Sequence, residues 1–204
     1  MVKFIRIMII NLVSIDIFRE VNMDWEFVVL EKLQQLHSAP LDFIMKCFAP
    51  FWLVIIFIAL PSLIVMITKK HAKLGRMLAS SAAVCGLTCA LIIKPVVSRL
   101  RPYELNTTIA MLVPPEIDAS FPSGHTCFAF SAATVCFIYN KKLGIMMYVF
   151  ASIIAFSRLY LYMHFPTDVL CGALLGIICG IVGVYIESIL FLPKKPAALI
   201  KQPA

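Results

Sequence analysis

Three stretches of this chain, residues 47–68, 77–93 and 169–186, run without one charged side chain. No other feature limits the possible folds as strongly. A helix needs about 20 mostly apolar residues, within a range of roughly 17–25, to cross a bilayer. Two shorter charge-free runs, 126–140 and 143–157, reach that length if their polar ends near His125 and Arg158 lie at the lipid–water boundary. Charged residues make up only 14% of the chain, against about 25% in soluble domains. Inside lipid, only helices and closed barrels satisfy their own backbone groups, and these runs lack the strict alternation of barrel strands. The expected fold is all-α: a polytopic transmembrane helical bundle of five spans, or six if residues 1–22 also cross. An N-terminal amphipathic interfacial helix is expected to precede it.

Residues 1–22 start basic and have a short apolar middle that Asp16 and Arg19 close early. They read as an interfacial helix, a sixth short span or an extension upstream of a start at Met23. Residues 25–37 read as an amphipathic helix lying on the membrane. Pro50 and Pro61 are expected to kink the first span. The seven cysteines lie almost wholly in apolar runs with no Cys-x-x-Cys pair, so they read as small packing residues. Gly172, Gly176 and Gly180 form a small-residue stripe that lets another helix approach closely.

The net charge of +7 is distributed by topology. Lys69, Lys70, Lys73 and Arg76 join the first two spans, Lys141 and Lys142 join the third and fourth, and Lys194, Lys195 and Lys201 follow the fifth. Five spans bring all three groups to one face. By the positive-inside rule that face is cytoplasmic, in a cell (plasma) membrane. No basic stretch is interleaved with aromatics, so nucleic acid is not an expected partner. The sequence carries no indication of oligomeric state.

Three polar clusters interrupt the apolar pattern, all on the opposite, extracytoplasmic face. In 94–102, KPVVSRLRP, Lys94 ends a span at a depth where a charge is costly and faces the bundle interior or water. In 122–125, PSGH, Ser123 suits a helix N-cap and Gly124 lets a ligand come close to the backbone. The free N–H groups of a helix start attract phosphate, and His125 can carry a proton near neutral pH. In 157–168, SRLYLYMHFPTD, Pro166 suits the first position of a new helix and Asp168 follows in its first turn. A carboxylate there can hold one nitrogen of His164 and leave the other free to attack. Taken singly, each cluster is equally served by an interfacial cation, a plain cap or a helix-dipole partner.

Together the clusters spell Lys-x6-Arg-Pro, Pro-Ser-Gly-His and Ser-Arg-x5-His-x3-Asp. This conjunction resembles the type-2 phosphatidic acid phosphatase family of membrane lipid phosphatases, over roughly residues 91–180. The resemblance implies that His164 is a nucleophile forming a phosphohistidine and that Asp168 orients it. It implies that His125 is the acid, then the base. It further implies that Lys94, Arg101, Ser123, Gly124 and Arg158 bind the phosphoryl oxygens; Arg99 lies outside the pattern. The domain division that follows is an interfacial segment 1–40, a transmembrane phosphatase domain 41–192 and a cytoplasmic basic tail 193–204. Neither a cofactor nor a metal is expected, because three cations and a helix start can carry the developing charge. Glu104, Glu116 and Asp118 lie in a loop without regular ligand spacing. A neutral His164 and a protonated His125 imply a bell-shaped pH–rate profile. The implied substrate is a membrane lipid phosphate or diphosphate, with undecaprenyl diphosphate preferred. Phosphatidylglycerophosphate or phosphatidic acid hydrolysis, and phosphotransfer at the same site, are the alternatives. A non-enzymatic anion carrier would place charges at several depths, whereas here they gather at one face.

Overall fold

The computed structural model describes residues 24–50 and 71–191. The first expected span beyond Pro50, the segment 1–22, Pro61 and the tail 193–204 lie outside the described residues. Within them the chain is helical and contains no strand. The order is α1 (Asp24–Gln34), α2 (Ala39–Cys47), α3 (Ala72–Cys85), a π-helical segment (Gly86–Ile93), α4 (Lys94–Val97), α5 (Pro102–Leu105), α6 (Gly124–Tyr139), α7 (Lys141–Tyr160) and α8 (Pro166–Leu190). Three stretches are long and apolar enough to cross a membrane: Ala72–Leu105, Lys141–Tyr160 and Pro166–Leu190. The fourth, Gly124–Tyr139, is apolar but only 16 residues long. At about 1.5 Å per residue it spans some 24 Å, short of the roughly 30 Å hydrocarbon thickness.

The surface is inverted relative to a water-soluble protein. Leu170, Leu174, Ile178, Ile181 and Tyr185 form one exposed stripe along α8, at spacings of three and four residues. The opposite stripe is glycine. A methyl group on Gly176 would stand 2.4 Å from the Cys127 carbonyl oxygen, and one on Gly172 would stand 2.7 Å from that of Ser123. Bare backbone at these two positions lets α8 lie directly on α6. Helix α3 completes a three-helix seam with them, and α7 packs on α6. Met77, Leu78, Ala133, Val135, Ala151 and Ile154 fill the space between α3, α6 and α7. Cys85, Cys89, Cys127 and Cys179 pack together where α3, the π-helical segment, α6 and α8 meet.

Thr88 in the π-helical segment donates its hydroxyl to the Val84 carbonyl, 2.7 Å away, a side-chain competition that distorts helices. The widened turns re-phase the end of the helix, and Lys94 is buried there rather than extended to the surface. The helix then stops at Ser98, whose φ of 47° is left-handed. That reversal turns the chain so that Arg99 and Arg101 both point inward.

Connectivity brings four element ends together. Helix α4 ends, α6 starts, α7 ends and α8 starts at one end of the bundle, joined by the long loop 106–123. Helices α1 and α2 dock at the same end. The Gln34 side chain donates to the Tyr160 carbonyl, 3.1 Å away, and His37 stacks on the Tyr160 ring. The other end carries Lys141, Lys142 and an Arg76–Glu187 ion pair of 2.8 Å.

Gly176→Ala should drive its methyl into backbone that cannot yield. Overpacking of this kind costs about 1–3 kcal/mol. A lower melting temperature of the detergent-purified variant, with a smaller loss for Ala at the half-exposed Cys171, is the expected result.

Candidate active site

The three sequence clusters converge at that end, and every expected site residue is buried there. Lys94 is 8% exposed, His125 2%, and Arg101, Ser123, Arg158, His164 and Asp168 are 0%.

Asp168 is fixed by the start of α8. Pro166 occupies the first helical turn, and Asp168 accepts the Phe165 backbone N–H at 2.8 Å, a capping role that fixes its rotamer. Its Oδ2 also accepts the Ser120 hydroxyl at 2.5 Å, and its Oδ1 accepts Arg99 at 2.5 Å. His164 Nδ1 faces this group, 3.7 Å from Asp168 Oδ2 and 3.4 Å from Ser120 Oγ. The carboxylate therefore stands beyond direct hydrogen-bond distance of the ring, and the Ser120 hydroxyl, which donates to it, lies beside both. The other nitrogen, Nε2, points at Arg101 Nη1, 3.3 Å away. Complete burial pushes the His164 pKa down to about 4, against the opposing pull of Asp168. The ring is neutral near physiological pH, and Nε2 keeps a lone pair.

Arg101 has the densest set of partners. It donates from Nη2 to Glu116 (2.6 Å) and to Asp118, from Nε to the Asp118 carbonyl (2.9 Å), and from Nη1 to the Met163 carbonyl (3.0 Å). Lys94 Nζ lies 2.5 Å from Asp118 Oδ2. Burial alone would raise the Asp118 pKa; Lys94 and Arg101 hold it below the usual carboxylate range. Arg158 donates to the Phe48 carbonyl (2.6 Å), the Ala49 carbonyl (3.2 Å) and the Ser157 hydroxyl (3.1 Å). Those carbonyls are available because α2 has just ended and leaves them without helical partners. His125 Nε2 lies 3.0 Å from the Ala49 carbonyl and 3.2 Å from Arg158 Nη1; it serves the first as donor or the second as acceptor, never both at once. Glu116 Oε1 stands 3.9 Å from both His125 Nδ1 and Arg158 Nη1.

Ser123 takes the N-cap position expected of it, but its hydroxyl does not cap the helix. It accepts the Thr126 hydroxyl at 3.0 Å, and the Ser123 N–H donates to the Asp168 carbonyl at 3.0 Å. The second bond ties the start of α6 to the start of α8. Sequence reasoning missed the roles of five residues. Arg99, left without a role, is buried and pairs with both Asp168 (2.5 Å) and Glu26 (2.6 Å). Glu26 comes from α1 and also accepts the Thr167 hydroxyl at 2.6 Å. Ser120, Glu116 and Asp118 come from the loop. The one available signal was a third arginine two residues before Arg101; nothing local marks Glu26.

Beside the buried groups lies a cavity of about 650 Å³. Lys94, Gly124, His125, Glu116 and Asp118 line its polar part, and Val113, Pro114 and Phe128 are among its apolar walls. Lys46 also lines it. The size suits a ligand-binding cavity.

Fold and site define a membrane protein whose bundle end holds a buried cationic seat served by two imidazoles. Residues 70–190, more than half of the chain, match the PAP2 superfamily, and the chain belongs to it. It is 30% identical over 126 residues to an undecaprenyl-diphosphatase of Sulfolobus acidocaldarius, the match covering 61% of each chain. It is 32% identical over 113 residues to undecaprenyl-diphosphatase BcrC of Bacillus subtilis, covering 55% of this chain and 56% of that one. The chain thus spans between half and two thirds of the length of these relatives. A solved transmembrane PAP2-type phosphatidylglycerolphosphate phosphatase from Bacillus subtilis superposes with a TM-score of 0.71 over 93% of this chain and 96% of that one. Their identity is 20%, so this likeness concerns the fold.

Arg99→Met should leave Glu26 and Asp168 as buried carboxylates without their shared cation. Breaking a buried pair from one side costs about 3–5 kcal/mol, and chemical or thermal unfolding in detergent should show a loss of that order. Protonation of His164 removes the lone pair on Nε2. Activity per unit substrate should therefore fall as pH drops through about 4, the acidic limb of the bell-shaped profile, as read from kcat/KM against pH.

Proposed function

We propose that the chain is an integral-membrane lipid phosphatase that cleaves a lipid phosphate or diphosphate through a phosphohistidine intermediate, with undecaprenyl diphosphate the preferred substrate. The observation that carries this reading is the convergence of Lys94, Arg101, Arg158, His125 and His164 at one end of an apolar bundle, next to a cavity with apolar walls.

In the proposed reaction, Lys94, Arg101 and Arg158 hold the non-bridging phosphoryl oxygens, with the N–H groups that open α6 at Gly124. His164 Nε2 attacks phosphorus as the bond to the lipid oxygen breaks. His125 gives its proton to that departing oxygen. The neutral His125 then takes a proton from water, whose oxygen attacks phosphorus and releases the imidazole and inorganic phosphate. Asp168 stabilises the positive charge that His164 acquires in between. Fixed cations supply the charge stabilisation, so we propose that turnover needs no metal.

A diphosphate head group can enter the seat while its polyprenyl tail stays beside the exposed apolar stripe of α8. The undecaprenyl-diphosphatase relatives support that choice. We place the site on the extracytoplasmic side of the plasma membrane because Lys141, Lys142 and Arg76 sit at the opposite end of the bundle.

A phosphate-release panel over undecaprenyl diphosphate, phosphatidylglycerophosphate and phosphatidic acid, with a chelator present, tests this reading. Release should be fastest from the diphosphate and insensitive to the chelator. Transfer of the phosphoryl group to an added alcohol without free phosphate would favour a phosphotransferase instead. His164→Ala should lower release by more than about 10³-fold with melting behaviour retained. A variant turning over at the original rate would remove the nucleophile from the scheme.

A further inference from the structure

We infer that Glu116 and Asp118 form an internal anion that occupies the phosphate seat, which substrate must displace and which weakens the hold on free phosphate. The inference rests on the phosphatase reading above and deepens it.

The cations proposed to grip phosphoryl oxygens are already engaged. Asp118 binds Lys94 through one oxygen and Arg101 through the other. Glu116 binds Arg101 at 2.6 Å, and its second oxygen stands 3.9 Å from Arg158 and from His125. Two carboxylates thus present four oxygens to the same donors that a phosphoryl group needs. Arg101 Nη2 is shared between both, so it has no capacity left for a third acceptor.

Access gives the same result. His164, Arg101 and Arg158 have no exposed surface and do not line the cavity, whereas Glu116 and Asp118 do. The carboxylates therefore border the cavity on the side of Arg101, whose Nη1 faces the attacking nitrogen. In this arrangement phosphorus cannot come within bonding reach of His164 Nε2 unless they withdraw.

Their surroundings allow withdrawal. The Asp118 side chain is 53% exposed and that of Glu116 is 26% exposed, so water can take over their charge. Asp168 differs: it is wholly buried and held by Ser120, Phe165 and Arg99. Between the two acids, Ile117 points fully outward. No hydrophobic packing of its side chain opposes movement of this segment. After turnover the carboxylates can return to the cations and expel phosphate, which three buried cations would otherwise bind firmly.

Glu116→Gln, Asp118→Asn and the double variant remove charge while keeping shape. Both positions reach solvent, so the fold should tolerate them. Binding of inorganic phosphate and of orthovanadate to the detergent-purified full chain, measured by calorimetry near neutral pH, is the readout. Each single variant should bind phosphate about tenfold more tightly, a change of about 1.4 kcal/mol. Inhibition of turnover by added phosphate should rise in parallel. Lys94→Ala serves as the control that abolishes binding. If the original chain binds phosphate in a Lys94-dependent way but the amide variants bind it no more tightly, this inference fails and the phosphate site stands. If the variants bind more weakly, the carboxylates merely position Lys94 and Arg101, and the inference again fails. If no variant binds phosphate at all, both readings fall.

Discussion

Three guanidinium groups and one ammonium are withdrawn from water at one end of this bundle, and each has to be met by carboxylates or other hydrogen-bond acceptors. The uncompensated burial of a single ion costs several kcal/mol even after the protein relaxes. Arg158 is met by backbone carbonyls at the end of α2 and by Ser157. Arg99 is met by Glu26 and Asp168, both fully buried. Arg101 and Lys94 are met by two acids that keep contact with solvent. The partners of Arg99 are wholly buried, whereas those of Arg101 and Lys94 reach solvent, where the proposed exchange with phosphate takes place. The site combines rigid and replaceable partners, as an anion-binding protein requires.

Helix packing decides where these groups meet. The bare backbone of Gly172 and Gly176 lets α8 rest on α6, and the Ser123 N–H then reaches the Asp168 carbonyl. The segment carrying His125 and the segment carrying His164 are thereby locked in register. The widened turn before Lys94 and the left-handed Ser98 bring the third segment to the same place. A distance between reacting groups is therefore set partly by residues deep in the apolar seam.

The sequence made the helical class, the membrane character and the glycine seam legible, because each depends on short-range periodicity or on the absence of charge. It also made the three motifs legible, since their residue types are rare within apolar runs. Partners supplied from elsewhere were not. Glu26 lies in α1, 73 positions from Arg99, and reads there as one more acid in a first helical turn. Glu116 and Asp118 read as loop residues without metal-ligand spacing; their significance is the geometry of the cations they face. The expectation that Ser123 caps α6 through its hydroxyl failed because Thr126 competes for that oxygen. Five spans, or six, were read from apolar run lengths. Among the described residues three meet the length, and α6 falls short of it.

Helix α1 looks peripheral in sequence, yet its carboxylate completes the charge balance around the aspartate behind His164. The three motifs are consequently not a self-sufficient cassette. Transplanting them into another bundle, or trimming the chain to begin at α2, would carry over every residue of the familiar pattern and still leave Arg99 with half its counter-charge. What travels as a functional unit is the bundle end together with the helix that plugs it.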